Sequence, residues 1–183
     1  MMQKKVQIIS DGSLDLSQEL TKEKDIEVVP FYVSFDSETY QKEMVEVGVR
    51  EFYQEMVDHP TVFPKTSMPS VHDYYEVFEK HAKEQLPVIC ICITRKFSGS
   101  LQSATTAKDM ILEEYPDAQI TVIDSTVNTV LQGLYVLEAC RLRDMGLEYQ
   151  QIVDALLPIR ETGRIFFTIG SIDYLKHGGR IGK

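Results

Sequence analysis

The chain has 183 residues, 43% of them apolar, with 28 acidic against 19 basic side chains and a formal net charge of -9. That length and apolar content allow one domain with a real core and part of a second. The acidic balance excludes a general nucleic-acid surface, which needs clustered basic side chains to displace counterions, and argues against an anionic membrane face, but it leaves room for one local anion site.

Val6–Ser10 (VQIIS) reads as a strand ending in a polar turn. Glu27–Phe35 (EVVPFYVSF) reads as a second strand; Pro30 lacks an N–H and predicts an edge position or a bulge there. Val49, Phe52, Tyr53, Met56 and Val57 recur at helical spacing, and Val71, Tyr74, Tyr75 and Phe78 repeat the pattern behind Ser70 and Asp73, spaced as in a capping box. Val88–Ile93 (VICICI) is apolar throughout, the mark of a strand covered on both faces in a parallel sheet. Leu101–Glu114 predicts a helix, Ile120–Ile123 a strand closed by Asp124 and Ser125, Thr129–Met145 a long helix stopped by Gly146, and Ile152–Arg160 another helix. Ile165–Ile169 predicts a further strand, and a short helix ending at Gly178 leads into Arg180.

Strands alternating with helices predict the α/β class: a three-layer α/β/α sandwich on a parallel sheet. The main strands are expected in the order 2-1-3-4. No segment approaches the ~20 apolar residues of a membrane helix, and the apolar run after Lys4 and Lys5 is too short for a secretory leader. A soluble, cytoplasmic protein without membrane insertion is expected. Cys90 and Cys92 share one face of their strand, with no further ligands at metal-binding spacing, so plain buried thiols and no metal are expected.

Small polar residues follow each main strand: Asp11-Gly12-Ser13-Leu14-Asp15, then Thr94 and Phe97-Ser98-Gly99-Ser100, then Asp124-Ser125. In open α/β sheets ligands bind beyond the carboxyl ends of the strands, where the strand order reverses. Ser98-Gly99-Ser100 precedes a helix, and so does Thr66-Ser67-Met68-Pro69-Ser70. Hydroxyls and unpaired N–H groups at such places suit an anion, and a carboxylate in particular, but Ser and Thr before helices also serve as plain caps. Asp11 and Asp15 are equally readable as turn formers. There is no Walker A, GxGxxG or GxSxG sequence. The segment SDGSLD is weakly similar to a phosphatase loop, with Ser13 where the second Asp belongs. His59, His72, His81 and His177 are scattered, with no base poised beside Ser98.

Taken together, IISDGSLDLS, VVPFYVSF, KTSMPS, ICITRKFSGSLQSA, VIDSTVNTVLQG and IDYLKHGGRIG resemble, in order and across nearly the whole chain, the blocks of the DegV family. The resemblance implies a fatty-acid-binding protein, not an enzyme. It implies a long-chain fatty acid held in a slot between two domains and no other cofactor. It also implies an ATP-binding fatty acid kinase subunit as partner, to which the acyl carboxylate is presented for acyl phosphate formation. Carried over by motif, the carboxylate contacts are Thr66, Ser67, Ser98 and Gly99, with Arg180 adding positive charge; Asp11, Ser13 and Ser125 are expected to line the site around them. Family members continue into a second domain beyond the point matching Lys183, so the resemblance implies that residues 1–160 form the first α/β domain and residues 161–183 the truncated start of a second, lipid-binding α/β domain. Arg95 and Lys96 stand at usually small, uncharged positions, Leu131 where Gly is usual and Thr129 where Ser is usual. Two other readings remain: a phosphotransferase or phosphatase on the same fold using Asp11 and Asp15, and a regulatory protein with a structural lipid.

Overall fold

In a computed structural model that describes residues 6–166, 168, 170 and 172–179, the chain runs through β1 (Gln7–Asp11), a 3-10 turn (Gly12–Leu14), α1 (Gln18–Glu23), β2 (Ile26–Val29), β3 (Tyr32–Ser34), β4 (Gln41–Lys42), α2 (Val49–Asp58) and β5 (Lys65–Ser67). It continues through α3 (Val71–Lys83), β6 (Val88–Cys92), α4 (Ser100–Glu114), β7 (Ile120–Asp124), α5 (Thr129–Asp144), α6 (Tyr149–Ile159) and α7 (Asp173–His177). These elements gather into two compact units: Met1–Val29 with Pro69–Ile165, and Pro30–Met68 with Phe166–Lys183.

The first unit is built on a parallel sheet in the order β2-β1-β6-β7, which is the expected 2-1-3-4 order of the main strands. The pleat sends alternate residues to opposite faces. On one face Ile8, Ile89, Ile91 and Ile123 pack with Val136, Ala139 and Cys140 of α5 and with Ile152, Val153 and Leu156 of α6. On the other, Ile9, Val88, Cys90 and Cys92 pack with Tyr74 and Phe78 of α3 and with Ala104, Ala107 and Ile111 of α4. Two covered faces explain why β6 is apolar at every position; each buried aliphatic side chain contributes roughly 1.5–3 kcal/mol. All three cysteines are buried free thiols, Cys90 and Cys92 in one layer and Cys140 in the other.

Local signals set the helix ends. Ser70 caps α3: its hydroxyl accepts from the Asp73 N–H at 3.1 Å, and the Asp73 carboxylate accepts from the Ser70 N–H at 2.8 Å. Gly146, at φ +87°, stops α5 in the left-handed region that glycine tolerates best. α6 starts three residues earlier than its apolar pattern, at Tyr149, because Gln151 Oε1 accepts from the Glu148 N–H at 2.9 Å and secures the first turn.

The second unit differs from expectation. Glu27–Phe35 is not one strand. It divides into β2, an edge strand of the parallel sheet, and β3, which pairs antiparallel with β4 and β5 in a separate three-stranded sheet. Pro30 falls at the division, where its missing N–H ends the ladder. Thr66 and Ser67, expected in a loop, belong to β5 and pair with Val33 and Tyr32 of β3. Ile165, Phe166 and Thr168 carry no strand, while Phe167 and Ile169 of the same predicted strand lie outside the described residues. Within this unit the His177 ring stacks on Phe63 at a centroid distance of 3.9 Å, and Tyr174 meets Phe63 edge-on at 5.0 Å.

Candidate functional site

The parallel sheet reverses its winding between β1 and β6, and the polar residues of the first unit collect at that point. Asp11, the last residue of β1, is fully buried. Its Oδ2 accepts from the Ile93 N–H at 2.9 Å and from the Ser100 hydroxyl at 2.7 Å. Its Oδ1 lies 2.8 Å from Gln132 Nε2 and 2.8 Å from Ser13 Oγ. One side chain thus joins the end of β1, the exit from β6, the first residue of α4 and the buried face of α5. Burial pushes the Asp11 carboxyl above the ordinary aspartate range; the hydrogen bonds from Ser100, Ile93, Gln132 and Ser13 pull it back only in part. The network extends through Ser100 to the Tyr74 hydroxyl at 2.6 Å, and from Tyr74 to Cys92 Sγ at 3.7 Å.

Gly133 makes this geometry possible. A Cβ at that position would lie 2.4 Å from the Leu14 carbonyl oxygen and 2.8 Å from Leu16 Cδ2. With hydrogen there instead, α5 presses against the 3-10 turn and seats Gln132 between Ser13 and Ser10.

Above the network, Thr94 to Ser100 form a tight turn into α4. The Phe97 and Ser98 N–H groups donate to the Thr94 carbonyl at 3.0 and 3.4 Å, and the Ser98 hydroxyl accepts from the Ser100 N–H at 3.2 Å. Ser98 is half-buried and Gly99 exposed. Among the described residues, the N–H groups of Gly99, Leu101 and Gln102 have no acceptor, and α4 has no acidic residue in its first turn. Hydroxyl and unpaired amides therefore face outward together at the positive end of a 15-residue helix, an arrangement able to receive an anion.

The remaining expected residues are placed as follows. Ser13 sits in the 3-10 turn with its hydroxyl engaged by Asp11 and Gln132. Ser125 is buried, and its hydroxyl donates to the Val127 carbonyl at 2.9 Å. Thr66 and Ser67 are exposed on β5 of the second unit, and Arg180 lies outside the described residues. Asp15 is exposed, in the left-handed region at φ 49°, as the cap of the 3-10 turn. With Asp11 buried and both its oxygens hydrogen-bonded, the first aspartate, which a phosphatase loop of this kind would use as its nucleophile, is not exposed. Ser100 falls in the Ser98-Gly99-Ser100 segment that the sequence marks, whereas Gln132 and Tyr74 carry no signal there; nothing in a single chain marks a glutamine as the buried partner of an aspartate 121 residues away.

Arg95 stands exposed with its guanidinium 3.7 Å from Asp124, and His177 Nδ1 is 2.8 Å from the Asp173 carbonyl. Among the described residues no group of three His, Cys, Asp or Glu side chains is placed to hold a metal, and no helix is long and apolar enough to cross a membrane. A cavity of about 140 Å³ lies beside the end of β7, lined by Ser125, Val127, Leu131, Tyr135, Arg160 and Gly163 among others. It falls below the ~300–1,000 Å³ usual for a drug-sized ligand. A second of about 460 Å³, around Pro87, Tyr115 and Gln119, is at the other end of the sheet, away from the polar network.

A parallel sheet covered by helices on both faces, with a polar turn at its switch point, defines a three-layer α/β protein. The chain belongs to the DegV family: the family described as "Uncharacterised protein, DegV family" matches residues 5–183. A DegV domain-containing protein of Clostridium perfringens is 31% identical over 97% of this chain and 62% of its own length. Another, from Halalkalibacterium halodurans, is 34% identical over 97% of this chain and 61% of its own. Among solved structures, a stearic-acid-binding protein from Eubacterium ventriosum is 49% identical, with a TM-score of 0.92 over 97% of this chain and 61% of its own. A fatty-acid-binding DegV family protein from Thermus thermophilus is 30% identical with a TM-score of 0.81, covering 97% and 61%. The chain therefore spans about three fifths of the length of the relatives it matches.

Proposed function

We propose that this protein binds a long-chain fatty acid, holds its carboxylate with Ser and Thr hydroxyls and backbone amides, and presents it to a separate ATP-binding kinase subunit for acyl phosphate formation. The likeness over 97% of the chain, at 49% identity, to a protein described as stearic-acid-binding carries this reading. The turn at Ser98 and Gly99 supplies the outward donors. Thr66, Ser67 and Arg180 are the further proposed carboxylate contacts, with Asp11, Ser13 and Ser125 supporting the site around them. The tail is enclosed with the help of a second domain beginning at residue 161. The protein is a carrier, with the kinase subunit supplying the catalysis, and it works in the cytoplasm.

The energetics suit a carrier. A sixteen-carbon tail has about 14 methylenes, so burial at ~0.8 kcal/mol each offers on the order of 11 kcal/mol. Immobilising the ligand costs at least ~4 kcal/mol. The head group contributes orientation more than affinity, since an ionised carboxylate without partners is strongly unfavourable away from water.

Native mass spectrometry of the full-length protein tests the binding: one fatty acid is expected to leave only on denaturation. Absence of retained lipid, together with no displacement of a fluorescent fatty acid, would end the reading. Addition of the kinase subunit and ATP should yield acyl phosphate; no transfer removes the carrier role. Ser98→Ala is expected to weaken binding by ~1–3 kcal/mol, the cost of an acceptor losing its donor, read by the same displacement assay.

A further inference from the structure

The hydrogens around Asp11 do not suffice for its contacts. Ser13 Oγ lies 2.8 Å from Asp11 Oδ1 and 2.6 Å from Gln132 Oε1, and a hydroxyl has one hydrogen to give. Both hydrogens of the Gln132 amide are committed, to Asp11 Oδ1 at 2.8 Å and to Ser10 Oγ at 3.0 Å. The Ser10 hydroxyl hydrogen goes to the Ile91 carbonyl at 2.8 Å. Four contacts thus join Ser10, Asp11, Ser13 and Gln132, with three hydrogens to fill them. Turning the amide over leaves the deficit in place, because its oxygen then faces Asp11 Oδ1 and Ser10 Oγ, neither of which has a hydrogen to spare.

We propose that Asp11 is held as the neutral acid, its proton on Oδ1 and donated to Ser13, and that this keeps the end of β1 uncharged beneath the turn that receives the fatty-acid carboxylate. The proton completes the set. Oδ1 still accepts from Gln132, and Oδ2 accepts from the Ile93 N–H and the Ser100 hydroxyl with its two lone pairs. Each element packed around Asp11 contributes a neutral group: Ser13 from the 3-10 turn, Cys92 from β6, Tyr74 from α3, Ser100 from α4 and Gln132 from α5. Burial holds the Tyr74 phenol well above its usual range, and the contact with Cys90 together with burial does the same for the Cys92 thiol. No Lys, Arg or His among the described residues pairs with Asp11. A charge here would be buried without a cation among the described residues and would repel a ligand anion through a medium that screens poorly. Asp11 is therefore a positioning residue. It ties Ser100 and the exit of β6 in place, and does so without opposing the ligand's charge; this second part rests on the fatty-acid reading.

The test is carbon-13 NMR of aspartate-labelled full-length protein, with the Asp11 Cγ resonance assigned by its loss in Asp11→Asn. At neutral pH the resonance should have the position of an unionised acid. Saturation with stearate should move its titration to higher pH, and the parent's affinity for stearate should fall across that titration. A displacement of one pH unit corresponds to about a tenfold fall, which Asp11→Asn, unable to ionise, should lack. An ionised resonance at neutral pH in the ligand-free protein overturns the proposal. A neutral resonance that bound stearate leaves unmoved overturns its link to the ligand. Should stearate not bind at all, the fatty-acid reading falls by itself, while the ligand-free resonance still decides the charge on Asp11.

Discussion

Glu27, half-buried, and Asp11, fully buried, stand on neighbouring strands, and the fold treats them in opposite ways. Glu27 of β2 is met by His81 Nε2 at 2.6 Å and Lys80 Nζ at 3.1 Å, both from α3. Burial raises its carboxyl, but His81 and Lys80 outweigh burial and hold it below the ordinary glutamate range. Asp11 has the same chemistry with only neutral donors among the described residues, and burial wins. A basic partner makes a carboxylate a clamp between an edge strand and a helix. Hydroxyls and amides make one a junction that adds no charge, which is what a site for an anion requires.

The comparison breaks most severely at Asp11. Replacement by Ala leaves the Ile93 N–H, the Ser100 hydroxyl and the Gln132 amide without an acceptor, and should cost ~3 kcal/mol in urea unfolding. Gly133→Ala sharpens it from the packing side. The new methyl meets the Leu14 carbonyl, so the turn or α5 must shift, with an expected loss of ~2 kcal/mol and weaker retention of lipid, while the Glu27 contacts are spared. Glu27→Gln should be the mildest, at about 1 kcal/mol, because Lys80 is largely solvated and hydration replaces much of what it loses.

Acidity separates the two in sign. Asp11 titrates above its unfolded value in the fold, so its contribution is complete below the ordinary aspartate pKa and is lost as pH rises through the folded value. Asp11→Asn should therefore gain on the parent as pH rises. Glu27 titrates below its unfolded value, so its contribution is present above the ordinary glutamate pKa and is lost as pH falls through the folded one. The parent's advantage over Glu27→Gln should then shrink in acid. Unfolding curves across a pH series check both, and parallel slopes for the two pairs would remove the distinction.

The parallel sheet was readable from the chain because its strands announce themselves: Val88–Cys92 has no polar interruption, Ser70 and Asp73 mark the start of α3, and Gly146 marks the end of α5. The antiparallel sheet was not, because Gln41–Lys42 and Lys65–Ser67 are short and polar and offer no apolar alternation. Pro30 signalled an irregularity, but not that the chain changes sheets there. At the candidate site, the sequence displayed the polar turns after β1 and β6, which the structure sets where the strand order reverses. The hydroxyls that are already spent, Ser13 on Asp11 and Ser125 on the Val127 carbonyl, could be told from the outward-facing Ser98 only once the backbone was in view.

The cysteines give each side of the sheet its own timer. Cys90 and Cys92 are sealed under α3 and α4, and Cys140, on α5 itself, is buried in the layer that α5 and α6 form against the sheet. A thiol reagent reaches either set only when the helices covering it lift away. Labelling rates at Cys90 and Cys92 against Cys140 would thus show which layer breathes first, without any introduced probe.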